Sequence, residues 1–187
     1  MTKSELRKIY KQKRQALSLE TIDDLSLQIA NNLLEMPIWE RLYYHIFLSI
    51  TEQKEINTDY IISILSGKDK HTIISKSDFQ TTELSHYLLT DATIIKKNAY
   101  NIPEPVNGIP IASRVIDVVF IPLLAFDKQG HRVGYGKGFY DGFLKDCKPE
   151  TIKIGLSFFE AENQIEGIFK NDVPLDFCVT PTKTYQF

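Results

Sequence analysis

Apolar residues first recur at helical spacing along the chain and then give way to short continuous runs. Leu6, Ile9, Tyr10 and Leu17 fall on one arc of a helix opening near Thr2, while Lys3, Arg7, Lys11 and Arg14 fall on another. Thr2 and Glu5 have the spacing of a capping box, in which hydroxyl and carboxylate satisfy the first free amides reciprocally. Ile22, Leu25, Ile29 and Leu33 predict a second helix from Leu19 to Glu35, with Pro37 ending it. Apolar runs then predict strands over Tyr43–Ser49, His71–Ser75, Leu84–Leu89, Thr93–Ile95, Val115–Ile121, Ile152–Ser157 and Phe177–Thr180. Helices are predicted over Asn57–Leu65, closed by Gly67, and over Gly138–Lys145. Strands interleaved with helices predict an α/β fold with a mostly parallel central sheet. Asn98–Ser113 holds Pro103, Pro105, Gly108 and Pro110 and reads as a loop long enough to serve as a lid or binding loop.

At 187 residues the chain is sized for a single domain spanning 1–187. Lys+Arg 22 against Asp+Glu 24 leaves a net charge of −2, which disfavours a dedicated nucleic-acid binder. Cys147 and Cys178 form no CxxC and no zinc pattern with the histidines, so they read as reduced thiols or small buried hydrophobes. No run approaches the roughly 18 apolar residues of a membrane span, and no apolar segment follows the charged start. A soluble, cytoplasmic, monomeric enzyme or module is the expectation.

Candidate chemistry concentrates between Ile121 and Asp141. After a buried strand and a DKQG turn, Gly134, Gly136 and Gly138 alternate just before a helix. Such spacing lets successive amides converge on one ligand atom, and a helix N-terminus adds partial positive charge, so the segment suits an anion such as phosphate. Arg132 and Lys137 add full charges. The spacing is neither the GxGxxG of a dinucleotide fold nor a Walker A loop. The basic row of α-helical residues Lys3, Arg7, Lys11 and Arg14 is either a solvated face or a clamp on a polyphosphate. Asp141 and Asp172 are either oxygen ligands for magnesium or cap and turn residues. Glu55, between a strand and a helix, is either a ligand contact at the sheet's carboxyl edge or a first-turn acid. No GxSxG, Cys–His pair or HExxH is present, and His45, His71, His86 and His131 are scattered as packing or surface residues.

These motifs together resemble the 5-formyltetrahydrofolate cyclo-ligase (5,10-methenyltetrahydrofolate synthetase) family. The most specific element is Phe126-Asp-Lys-Gln-Gly-His-Arg-Val-Gly-Tyr-Gly-Lys-Gly-Phe-Tyr-Asp141, and Lys3 to Arg7, Glu55-Ile-Asn-Thr58, Asn101-Ile-Pro-Glu-Pro105 and Asp172-Val-Pro-Leu-Asp176 agree in order. The resemblance implies a three-layer α/β/α fold shared with ribose-5-phosphate isomerase and CoA transferases. It implies ATP binding by Lys3, Ser4, Glu5, Leu6 and Arg7 and by Arg132, Val133, Gly134, Tyr135, Gly136, Lys137, Gly138, Phe139 and Tyr140. Arg132 and Lys137 are the implied catalytic cations, and Asp141 and Asp172 the implied Mg²⁺ ligands. Reduced folate is implied near Leu48, Glu55, Tyr100 and the stretch from Tyr135 to Phe139. The chain departs from the family pattern in two extra residues between Ser49 and Glu55, in Ser75-Lys76 after the second strand, and in Asn57. The implied reaction consumes ATP to cyclise 5-formyltetrahydrofolate. Its rivals are an ATP-independent isomerase or transferase of a phosphorylated small molecule and an RNA-binding module.

Overall fold

The computed structural model describes residues 1–187. Thr2 and Glu5 exchange the two hydrogen bonds of a capping box and start α1 (Lys3–Gln15). The Ser18 side chain caps α2 (Leu19–Leu34). There follow β1 (Tyr43–His45), α3 (Asp59–Gly67), β2 (His71–Asp78), β3 (Glu83–Leu88), β4 (Ile95–Lys97), β5 (Pro103–Pro105) and β6 (Pro110–Ile111). The remainder comprises β7 (Val118–Pro122), β8 (Ala125–Phe126), β9 (Arg132–Val133), α4 (Phe139–Asp146), β10 (Ile152–Leu156), β11 (Phe177–Val179) and β12 (Thr184–Gln186).

An eight-stranded sheet runs in the order β12-β11-β10-β7-β1-β2-β3-β6. Neighbours from β11 through β2 pair in parallel, and β12, β3 and β6 add antiparallel edges. Strand alternation divides the core. Val118 and Phe120 meet Ile29 and Leu33 of α2 and Ile61 and Leu65 of α3 on one face, whereas Val119 and Ile121 meet Phe143 and Leu144 of α4 on the other. Each such side chain contributes roughly 1.5–3 kcal/mol when buried, so a slip of one residue would turn the whole set to the wrong face. The sheet therefore lies between two helical layers, as expected. In contrast, α1 belongs to neither layer: Leu6 and Tyr10 pack on Leu124, Ala125 and Val133 around the β8–β9 hairpin.

The chain leaves β1 through α3 towards β2, and leaves β7 through α4 towards β10. These connections diverge, which opens a crevice at the carboxyl ends of β1 and β7. There the structure departs from the sequence reading. The run expected as a strand to Ser49 pairs only over Tyr43–His45, and Phe47, Leu48 and Ile50 then turn away to line the crevice. The strand expected from Val115 begins at Val118, after a 3-10 turn over Ser113–Val115. The strand placed at Thr93–Ile95 lies at Ile95–Lys97, and it pairs with Pro103–Pro105 inside the segment read as a loop. Short edge ladders tolerate the missing proline amides, which is why the proline content misled.

Candidate active site

Asp127 fixes the approach to the glycine segment. Its fully buried carboxylate accepts from the amides of Gln129 (2.9 Å), His131 (3.0 Å) and Ile165 (2.9 Å), which closes the turn between β8 and β9. The chain then passes through Gly134–Gly138 into α4. Gly136 has φ of 90° and Gly138 of 79°, a region that favours glycine. A Cβ on Gly136 would also lie 3.2 Å from the Arg7 guanidinium carbon, so only glycine lets the loop approach α1 this closely.

The basic row of α1 is turned towards the glycine loop, although Lys11 stays exposed. Lys3 donates to Asp172, Arg7 Nε donates to the Gly134 carbonyl at 2.9 Å, Lys11 Nζ sits 5.6 Å from the Tyr135 ring centroid, and Arg14 donates to the Tyr135 hydroxyl. Arg132 donates to Asp141 Oδ1 at 2.7 Å and to the Val173 carbonyl, and the Val173 amide donates to the same Asp141 oxygen at 3.1 Å. The glycine loop is thereby tied to both the N-terminal helix and the segment before β11. Lys137 is exposed, lies on the cavity wall and makes no ion pair.

These groups surround a cavity of about 670 Å³, within the range of small-molecule sites. Lys3, Arg7, Leu48, Glu55, Tyr100, Arg132, Gly134, Tyr135, Gly136, Lys137, Gly138, Phe139, Tyr140, Asp141 and Asp172 all line it. Ser4, Glu5, Leu6 and Val133 do not. Glu5 serves the helix cap, and Leu6 and Val133 are fully buried in the cluster beneath α1. On a helix, Lys3 and Arg7 share a face that the intervening residues do not.

Asp141 and Asp172 each take their hydrogen bonds on one oxygen: Oδ1 of Asp141 as above, and Oδ2 of Asp172 from Lys3 and from the Phe169 amide (2.7 Å). Each keeps its second oxygen without a hydrogen bond. Burial works against ionisation of Asp172, but the Lys3 ammonium and the Phe169 amide outweigh it and hold the carboxyl below its usual range. No group of three or more His, Cys, Asp or Glu side chains gathers. The pair thus fits magnesium, which takes one or two carboxylates and completes its shell with phosphate and water.

A second wall is aromatic. The Phe79 ring lies 4.3 Å from that of Tyr100 and 5.2 Å from that of Phe139. Nearby, Glu55 accepts from the Tyr135 hydroxyl at 2.7 Å and from the Ile50 amide at 2.8 Å. Burial raises the Glu55 carboxyl above its usual range, opposed by the Ile50 amide, Tyr135 and Arg14. Burial likewise raises the hydroxyls of Tyr135 and Tyr140, with the Glu55 charge adding to both.

A family model described as the 5-formyltetrahydrofolate cyclo-ligase family matches residues 1–181. The chain belongs to that family. A cyclo-ligase of Haemophilus influenzae is 32% identical over 92% of this chain and 92% of its own length. One of Mus musculus is 33% identical over 59% of this chain and 60% of its own. The structure superposes on 5,10-methenyltetrahydrofolate synthetase of Aquifex aeolicus with a TM-score of 0.84 and 30% identity, covering 100% of this chain and 93% of that one. No helix is long and apolar enough to cross a membrane.

The cyclo-ligase motifs did not expose every wall residue. Ser75 and Ser77 of β2, and Phe79 just beyond its end, also face the cavity, at alternate positions that only a strand running past Ser75 would present together. The histidines read as scattered also meet: Ser75 Oγ lies 2.6 Å from His45 Nε2 and 2.7 Å from His86 Nδ1. Burial pushes both imidazoles down, His86 to about 4. Both are therefore neutral in the fold at neutral pH. Below about pH 6.5 the unfolded chain binds protons that the fold refuses, so stability falls with pH until His86 itself titrates. Between about pH 6.5 and about pH 5 His86 alone is expected to remove about 2 kcal/mol, read from urea midpoints. His86→Asn, which keeps an acceptor towards Ser75, should flatten that slope; an equal loss in the variant would refute the assignment.

Proposed function

We propose that this protein uses ATP to convert 5-formyltetrahydrofolate to 5,10-methenyltetrahydrofolate, ADP and phosphate. The observation that carries the reading is that one glycine loop borders both a cationic wall and an aromatic wall with a buried acid. The first suits a polyphosphate, the second a flat, hydrogen-bonding heterocycle such as a pterin. The Haemophilus and Aquifex names point to the same reaction.

A formyl amide oxygen is a poor leaving group, so ring closure by direct loss of water is unfavourable. In the proposed course that oxygen attacks the γ-phosphorus and ADP departs. The folate N10 then adds to the activated carbon, phosphate leaves with its oxygen, and N10 loses its proton. No protein nucleophile is needed. The protein's part is positioning and charge stabilisation, as in other phosphoryl transfers. Loop amides and Lys137 would hold the transferring group, with Arg7 and Lys3 fixing the polyphosphate. Phe79, Tyr100 and Phe139 would exclude water from the folate, and Glu55 would accept its N–H groups. Asp141 and Asp172 would hold Mg²⁺ through their free oxygens, and the ion would offset phosphate charge.

The test is to mix the protein with Mg-ATP and 5-formyltetrahydrofolate and follow the near-ultraviolet absorbance of the methenyl product. Growth that depends on ATP supports the reading. No product, or turnover of a phosphorylated small molecule without ATP, would replace it with the isomerase or transferase alternative.

A further inference from the structure

Arg14 is a buried cation that the proposed reaction does not use. It sits in the last turn of α1, 6% exposed, and it is absent from the wall of the large cavity. Its Nη2 donates to the Tyr135 hydroxyl, and its Nε is buried without a partner. It forms no ion pair with any carboxylate. A guanidinium so placed needs an anion within reach. The anion lies one hydroxyl away: Tyr135 donates to Glu55 Oε1 at 2.7 Å.

The direction of this chain is fixed by chemistry. Arginine has donors and no acceptor, so the Tyr135 oxygen must accept from Arg14. Its one proton is then committed to Glu55. With Ile50 donating to Oε2, each carboxylate oxygen is anchored once and keeps a lone-pair site for a ligand. Two adjacent acceptors of this kind match the paired N–H donors of an aminopyrimidine edge.

The helix end is also locked to the turn that carries Glu55. Lys54, in a left-handed conformation, donates to the carbonyls of Gln15 (2.6 Å) and Leu17 (2.7 Å), and the Gln15 amide reaches the Glu52 carbonyl at 3.4 Å. We infer that Arg14 is a positioning residue for the substrate-facing Glu55 carboxylate, acting through the Tyr135 hydroxyl and held in register by the Thr51–Lys54 turn. The inference rests on the cyclo-ligase reading of the site.

The other titratable or charged groups around Glu55 do not replace Arg14. Lys54 turns away to α1, Lys11 lies on the Tyr135 ring, and Tyr140 of α4 is a half-buried phenol whose hydroxyl is shifted upward and stays neutral. Loss of Arg14 removes a positive charge and frees the Tyr135 proton, and both changes favour the protonated acid.

The experiment compares wild type, Arg14→Gln, Tyr135→Phe and the double variant in steady-state kinetics across pH. Each single variant is expected to raise KM for 5-formyltetrahydrofolate about tenfold and to move the acid limb of kcat/KM upward by roughly one unit. The double variant should be no worse than either single one, because both break one chain. Unchanged KM and acid limb in either single variant would overturn the inference, as would effects that multiply in the double variant. Should Arg14→Gln fail to fold, Tyr135→Phe, which removes one oxygen, decides the matter. A wild type that makes no methenyl product instead overturns the cyclo-ligase reading itself.

Discussion

Lys137→Ala is expected to lower turnover about a hundredfold or more, the usual cost of losing one donor to a charged transition state, while the thermal midpoint stays near that of the wild type. The reason is its freedom. Lys3 and Arg132 are already paired with Asp172 and Asp141, and Arg7 holds the Gly134 carbonyl. Lys137 is exposed between two glycines and has no ion-pair partner to lose, so its removal leaves no buried group unsatisfied. Initial rates under saturating Mg-ATP and folate, together with a thermal melt, check both halves. Full activity in a folded variant would remove Lys137 from the chemistry. Arg132→Ala makes an informative contrast: it should lose stability as well as rate, because it strips the donor from Asp141 and from the Val173 carbonyl.

The second large effect concerns the metal. Asp141→Asn keeps an oxygen that can accept from Arg132 and from the Val173 amide, so the link between loop and C-terminal segment survives. What disappears is the negative charge and the free second oxygen. Arg132 is then left uncompensated beside the proposed ion. The magnesium concentration for half-maximal activity is expected to rise about tenfold or more at fixed ATP, given a preference of this ion for charged oxygen ligands. An unchanged magnesium titration would leave Asp141 as a structural link between Arg132 and Val173 and nothing more.

What could be read in the sequence followed local rules. The apolar run from Val115 to Ile121 announced a buried strand, Thr2 and Glu5 announced a helix start, and the glycines at 134, 136 and 138 announced a tight turn entering a helix. The row Lys3, Arg7, Lys11, Arg14 was visible, but its partner was not: whether such a row meets water or a loop depends on where the β8–β9 hairpin carries the chain. The missing parts are all long-range. Ser75 meets His45 and His86 because β1, β2 and β3 lie side by side in one register. Arg14 and Glu55 are joined through a tyrosine on a third segment. The strands β5, β6, β8, β9 and β12 are two or three residues long, too short for a two-residue period to declare itself, and their pairing supplies the order that composition hides.

The separate seating of α1 carries a thermodynamic consequence. Leu6 and Tyr10 hold it through a cluster of six buried residues, whereas the two faces of the sheet are built on clusters of 16 and 10. Detaching this helix exposes less apolar surface than parting either face, so it is a less costly partial opening than separating the layers. Three of its cations, Lys3, Arg7 and Lys11, line the crevice, so any polyanion resting there adds its binding free energy to that weak joint. Occupancy of the crevice and seating of the N-terminal helix are then one linked equilibrium, in which a bound polyanion would hold the helix in place.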